Sequence, residues 1–189
     1  MIEDLILQNR SCRRFYQDAT VELETLREFV GLARLSASGA NRQPLKYVLS
    51  SDPEKNALIF SYLGWAGYFK DWPGPPEGER PSAYIIILGD TEISKNFFCD
   101  HGIAAQSILL GAREKGLAGC MHAGVRKNEL SEALEVPARY EILLVLSLGK
   151  PKETAVIETG GPDRDIKYWR DEGGIHHVPK RCLDDIIID

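Results

Sequence analysis

Ala83-Tyr84-Ile85-Ile86-Ile87-Leu88 is apolar without a break. A strand with one face in water alternates apolar and polar residues, whereas a strand covered on both faces reads as a continuous apolar run. This stretch therefore predicts a central strand buried on both sides. Ile142-Leu143-Leu144-Val145-Leu146-Ser147-Leu148 is a second run of the same kind, ending at Gly149, and Leu45 to Ser50 reads as a further strand. Helices are expected between them. The clearest runs from about Glu22 to Ala37, where Leu26, Val30, Ala33 and Ala37 share a face and Glu24, Arg27, Glu28 and Arg34 are polar. Others are expected at residues 2–9, Pro53 to Leu63, 101–116 and Lys127 to Leu134. Residues 101–116 are apolar nearly all round, with Ile103, Ala104, Ala105, Ile108, Leu109, Leu110 and Ala112, which predicts burial in the core or in a subunit interface. Alternating helices and strands place the chain in the α/β or α+β class around a small mixed sheet.

Two segments stand outside this pattern. Residues 64–82 carry too many prolines and glycines for a helix or a central strand. A loop of that length suits a lid or partner contact, or a surface loop pinned by its aromatics. Residues 150–189 are polar and turn-rich until Ile186-Ile187-Ile188. Their low apolar content predicts a tail that wraps the domain or a partner subunit rather than folding alone.

The chain has 189 residues, which suits a single domain spanning 1–189, and a net charge of −5. An acidic balance disfavours nonspecific nucleic-acid binding and anionic-membrane binding, both of which need a basic surface. No apolar run approaches the roughly 20 residues of a membrane span, and the N-terminus lacks the pattern of a signal peptide, so a cytoplasmic location is expected. Cys12, Cys99, Cys120 and Cys182 form no CxxC pair, and His101, His122, His176 and His177 form no HxxxH, so neither a disulfide framework nor a metal site is expected. GxGxxG, GxxxxGK[ST] and GxSxG are all absent.

Four polar clusters remain. Arg10-Ser11-Cys12-Arg13 offers guanidinium forks and a hydroxyl that match phosphate oxygens, though it also suits a solvated basic turn. Ser38-Gly39-Ala40-Asn41-Arg42-Gln43-Pro44 crowds hydroxyl and amide groups at a helix–strand junction, where they can read a heterocycle edge or cap a turn. Gly116-Leu117-Ala118-Gly119-Cys120-Met121-His122-Ala123-Gly124 is a close-approach segment or a helix-to-strand turn. Lys180-Arg181 is a basic pair far from the first.

In this order the clusters resemble the nitroreductase-like FMN-dependent oxidoreductase family. The opening R-R-S-x-R motif appears as Asn9-Arg10-Ser11-Cys12-Arg13. The P-S-x-x-N-x-Q-P-W motif appears as Ala37-Ser38-Gly39-Ala40-Asn41-Arg42-Gln43-Pro44-Leu45. The G-L-G-S-C end of a buried helix appears as Gly116-Leu117-Ala118-Gly119-Cys120. Asn9, Ala37, Leu45 and Ala118 depart from the family pattern. The resemblance covers residues 1 to about 150 well and the tail loosely.

The resemblance implies an α+β fold, with a central, mostly antiparallel sheet flanked by helices, in an intertwined homodimer holding FMN at the subunit interface. It implies that Arg10, Ser11 and Arg13 hold the phosphate and ribityl end, with Lys180 and Arg181 on the same phosphate. Ser38, Asn41 and Gln43 would contact the ring or ribityl hydroxyls, and Met121, His122, Ala123 and Gly124 would lie beside the ring. The implied activity is ping-pong transfer of a hydride from NADH or NADPH, through flavin N5, to a nitroaromatic, quinone or other electrophile. Flavin carries that chemistry, so no catalytic side chain is assigned. Trp65, Tyr68, Phe69 and Trp72 are the candidate acceptor-site residues. The alternative is a flavin-binding module or sensor without turnover.

Overall fold

A computed structural model describes residues 1–69, 71–160 and 165–188. Residue 70 of the expected 64–82 loop, and residues 161–164 and 189 of the expected tail, lie outside the described residues. The central sheet is built from β1 (Phe15–Tyr16), β2 (Leu45–Ser50), β3 (Ala83–Asp90), β4 (Ala118–His122) and β5 (Tyr140–Pro151). β5 pairs antiparallel with β3 along one edge and with β4 and then β1 along the other, and β2 pairs antiparallel with β3.

All of β3 is buried, as its unbroken apolar run predicts. Successive strand side chains point to opposite faces. Ala83, Ile85 and Ile87 accordingly join Leu26, Phe29, Ala105 and Ile108 in one core, while Tyr84, Ile86 and Leu88 join Ile59, Leu130 and Ile142 in the other. The first core lies under α2 (Leu23–Leu35) and α4 (Asp100–Glu114), the second under α3 (Pro53–Ser61) and α5 (Lys127–Ala133). The protein is thus α+β, with a helical layer on each side of an antiparallel sheet.

α2 stops at Leu35, two residues before the expected Ala37, because Ser36 turns extended with φ −75° and ψ 161°. α3 likewise stops at Ser61, freeing Leu63 to bridge to Val125. α4 buries one face only, and Ile103 stays exposed. α1 (Ile2–Gln8) buries no residue.

The tail departs most from expectation. It forms its own sheet, in which β6 (Ala155–Gly160) pairs parallel with β8 (His176–Arg181) and β7 (Trp169–Arg170) pairs antiparallel with β8. None of its described residues joins a buried hydrophobic cluster. Low apolar content therefore left backbone pairing intact but supplied no core, so this sheet leans on the rest of the chain.

Candidate functional site

The chain entering β1 runs along the outer edge of β4. Ser11 bridges in parallel to Gly119, and the Cys12 N–H donates to the Gly119 carbonyl at 2.9 Å. This pairing brings the first cluster beside the third. β8 closes the opposite side. His176, Val178 and Lys180 are two residues apart, share a strand face and line one cavity of about 260 Å³ with Arg10, Ser11 and Arg13. A second cavity of about 390 Å³ lies against Gly64 to Gly67 and Cys120 to Gly124, and shares Arg13, Met121 and Tyr168 with the first. The two form a continuous cleft of the size that small-molecule cofactors occupy.

The first cavity is cationic. Arg10 anchors one nitrogen to the Ile6 carbonyl at 2.7 Å, while its Nε is buried without a partner. Burial lowers its pKa from the ordinary arginine value. Arg13 is 9% exposed, rests 4.9 Å from the Tyr168 ring centroid and places Nη1 3.3 Å from His176 Nε2.

The Arg13 backbone N–H donates to Glu153, whose other oxygen accepts from Arg170 Nη2 at 2.8 Å. The Arg170 guanidinium then lies 5.3 Å from the ring centroids of both Phe69 and Trp72. Tyr68 packs on Tyr168 with centroids 4.8 Å apart, and Phe69 meets Tyr168 edge-on at 5.3 Å. Loop and tail are thus joined beside the cleft through Glu153, Arg170 and a run of aromatic contacts.

Both histidines here are held neutral. Burial pushes His122 down to about 4, reinforced by the charge of Arg13 and opposed by the Gly64 carbonyl. His122 Nδ1–H donates to that carbonyl at 3.3 Å, so Nε2 accepts from the Ser147 hydroxyl at 2.9 Å. Trp65 packs edge-on against the ring at 4.5 Å. His122 therefore ties the base of the loop to the sheet. His176 is also pushed down to about 4, by burial first and then by the charges of Arg13, Arg170 and His177.

The second cluster lies elsewhere. Ser38 Oγ donates to Asp100 at 2.6 Å, the Gly39 N–H donates to the same carboxylate at 2.9 Å, and Ser38 Oγ accepts from the Gln43 N–H at 3.0 Å. Ala40, Asn41 and Gln43 adopt φ of 50°, 52° and 50°, a conformation that non-glycine residues hold only when their surroundings impose it. Ser38 and Gln43 line a separate cavity of about 210 Å³.

The structure therefore gathers Arg10, Ser11, Arg13, Trp65, Met121, His122, Ala123, Gly124 and Lys180 along one cleft. It does not bring Ser38, Asn41 or Gln43 to that cleft within one chain. Arg181 falls on the other face of β8 from Lys180 and does not line the cleft. Tyr68, Phe69 and Trp72 line a separate, open depression with Asp71, and Tyr68 and Phe69 reach the cleft through Tyr168 and His176. Glu153, Tyr168, Arg170 and His176 were not anticipated. They belong to no motif, and only the two-residue alternation of His176, Val178 and Lys180 could have flagged the strand.

Among the described residues, no helix is long and apolar enough to cross a membrane. The Nitroreductase family model matches residues 6–68 and 78–150. Its gap falls inside the aromatic loop, and the match ends where the tail begins. An iodotyrosine deiodinase of Haliscomenobacter hydrossis is 25% identical over 177 residues, spanning 80% of each chain. An NADPH-flavin oxidoreductase of Vibrio harveyi is 25% identical over 173 residues, spanning 82% of this chain and 68% of its own. The solved nitroreductase family protein from Streptococcus pneumoniae TIGR4 superposes with a TM-score of 0.70 at 17% identity, covering 100% of both chains.

Proposed function

The chain belongs to the nitroreductase family, and from that premise we propose that it is an FMN-dependent NAD(P)H oxidoreductase acting on a nitroaromatic, quinone or other electrophilic acceptor. The observation that carries this reading is one cleft with a cationic end at Arg10, Ser11 and Lys180 and the Met121 to Gly124 segment along its other part. The residues fit a flavin mononucleotide. The buried, unpartnered Nε of Arg10 is a donor awaiting an acceptor, and guanidinium with ammonium and hydroxyl groups suits a phosphate.

Arg10, Ser11 and Lys180 would hold the phosphate, and Arg13 would keep positive charge in the middle of the cleft. Met121 to Gly124 would lie beside the ring. FMN, when bound, supplies two-electron hydride chemistry at N5, and the protein supplies position and electrostatics. His122 holds the loop at its base through Gly64 and Trp65. Phe69 and Trp72, gripped by Arg170, would help keep water from the acceptor side.

A homodimer completes the site in this proposal. Ser38, Asn41 and Gln43 sit apart from the cleft of their own chain, so they would serve the flavin of a second copy. In support, α1, α2 and α4 leave Ile2, Ile6, Leu7, Leu32, Leu35 and Ile103 exposed, more apolar surface than isolated helices of a monomer need show.

The test is a visible spectrum of the purified protein, followed anaerobically with NADH and then NADPH. Oxidised-flavin bands that bleach with either donor are expected. Bands that persist with both would favour a binding module without turnover, and a colourless protein that takes up no added FMN would overturn the proposal. Arg10→Gln and Lys180→Gln should each weaken FMN binding by roughly 10- to 100-fold, the worth of one charge-assisted hydrogen bond, while Arg181→Gln should not.

A further inference from the structure

A further cavity, of about 110 Å³, opens on the opposite core from α2 and α4, where the chain enters β3. Arg80, Ser82 and Tyr84 line it, and each carries a buried polar atom without a partner: the Arg80 Nε, the Ser82 Oγ and the Tyr84 hydroxyl. The bends at Arg80 and Ser82, just before β3, bring all three to the same cavity. Tyr84 is wholly buried at 0% exposure. Buried hydroxyls and N–H groups are normally paired, and each unpaired one destabilises the fold unless something else fills the role.

The neighbours are already committed. Asn56 donates to the Ser82 carbonyl at 2.7 Å and accepts from Ser50 at 2.7 Å, which fixes the cavity wall. Gln17 accepts from the Gly78 and Arg80 backbone N–H groups at 2.8 and 3.1 Å, which fixes the mouth. The Arg80 guanidinium lies 4.4 Å from the Phe60 ring centroid. Among the described residues it has no carboxylate partner, and no acidic side chain lines the cavity.

Water would fit, since the space equals roughly three to four water volumes. Water could pair each of the three atoms singly, but it brings no charge to set against the guanidinium, whose Nε is buried while its other nitrogens reach solvent. One small anion would answer all three donors at once. We propose that Arg80, Ser82 and Tyr84 form a binding site for a small oxyanion or carboxylate of about five heavy atoms, separate from the flavin cleft. The site touches the aromatic loop indirectly, because Phe60 beneath Arg80 packs on Trp65 with centroids 5.4 Å apart, and Trp65 packs on His122.

The test is calorimetric titration of the FMN-loaded protein with inorganic phosphate, nitrate and acetate, with thermal melts in parallel. FMN loading fills the Arg10 and Lys180 end, so phosphate cannot report that site. Saturable one-to-one binding by at least one anion is expected, with a raised Tm, and the strongest of the three identifies the preferred geometry. Tyr84→Phe should weaken binding about 10-fold or more, as loss of one hydrogen bond to a charged ligand does. It should leave FMN content unchanged and should not lower the anion-free Tm, since the hydroxyl it removes has no partner and its burial is a cost. Arg80→Gln should abolish binding over the same range.

Absence of saturable binding by all three anions would overturn the proposal. So would binding indifferent to both variants, or an anion-free Tm that falls in Tyr84→Phe, which would show the hydroxyl to be a structural bond through water. Should the chain carry no flavin, the same titration in an Arg10→Gln background tests this site alone.

Discussion

Asp100 is the side chain on which the 38–43 segment depends. It is 5% exposed at the start of α4, and its carboxylate accepts from Ser38 Oγ at 2.6 Å and from the Gly39 N–H at 2.9 Å. Asp100→Ala deletes both bonds. A hydrogen bond to a charged group contributes about 1.5–3 kcal/mol. Ser38 and Gly39 are only half-buried, so water recovers part of that loss. The three left-handed residues Ala40, Asn41 and Gln43 cost on the order of 1–3 kcal/mol each to hold, and the segment can relax once released. The net expectation is a loss of about 2–4 kcal/mol.

Asp100→Asn should lose under about 1 kcal/mol. Its oxygen can still accept from Gly39, and its NH2 can donate to a reoriented Ser38 hydroxyl. Urea unfolding at fixed protomer concentration measures both, with m compared to confirm that only stability changed. In the proposed dimer the alanine variant should also lose FMN affinity, because Asn41 and Gln43 would no longer be presented. Equal losses for Ala and Asn, or a loss below about 0.5 kcal/mol for Ala, would refute the claim that this carboxylate organises the segment.

Three further expectations follow from particular contacts. His122 is neutral in the fold with its pKa near 4 against 6.5 unfolded; the unfolded chain therefore binds the extra proton between these values, and about 3 kcal/mol of stability present above pH 6.5 should be lost as pH falls to 4. Replacing His122 with Gln should make that acid slope shallower in pH-dependent unfolding, and an unchanged slope would show that another group controls it. At Gly119, an added Cβ would stand 2.5 Å from the Ser147 carbonyl oxygen and 2.6 Å from Leu109 Cδ2; Gly119→Ala should destabilise by at least about 1–3 kcal/mol and disturb the pairing that holds Ser11, measurable as a lower Tm together with lost FMN. Trp72→Ala removes a ring under Arg170 and should change acceptor KM and kcat while FMN content stays constant; lost FMN would place Trp72 in cofactor binding instead.

Much of the fold is legible in the sequence because burial on both faces leaves an unmistakable pattern. β3 is apolar without a break from Ala83 to Leu88 and β5 is apolar from Ile142 to Leu148 but for Ser147, and nearly every element expected around them is present within a few residues. β4 is different. Ala118-Gly119-Cys120-Met121-His122 is small and glycine-containing, which looks like a turn, yet Gly119 is glycine because the Ser147 carbonyl and Leu109 leave no room for a side chain. The tail strands are equally silent. Their side chains are half-buried or exposed apart from the polar His176, so their pairing leaves no hydrophobic period, and β8 even contains Pro179. Of the site, the Arg10 to Arg13 and Met121 to Gly124 segments were legible by motif, but Glu153 and Tyr168 meet them only because the tail folds back, a long-range event without local signal.

The charge pattern ties these pieces together. The chain is acidic overall at −5, yet Arg10, Arg13 and Lys180 line one cleft. The cleft keeps its cationic character only if the carboxylate beside it does not neutralise it. Glu153 meets that condition, because its side chain is 2% exposed and is occupied by the Arg13 backbone N–H and by Arg170. It fastens the tail without discharging the Arg13 guanidinium. That guanidinium is what helps hold His122 and His176 neutral, and the same field that disfavours an imidazolium favours an anion. Burial is the larger cause of both depressed histidines, and the Arg13 charge adds to it while favouring the proposed phosphate contact. A folded tail is required for the rest of that cleft, since His176 and Lys180 both stand on β8.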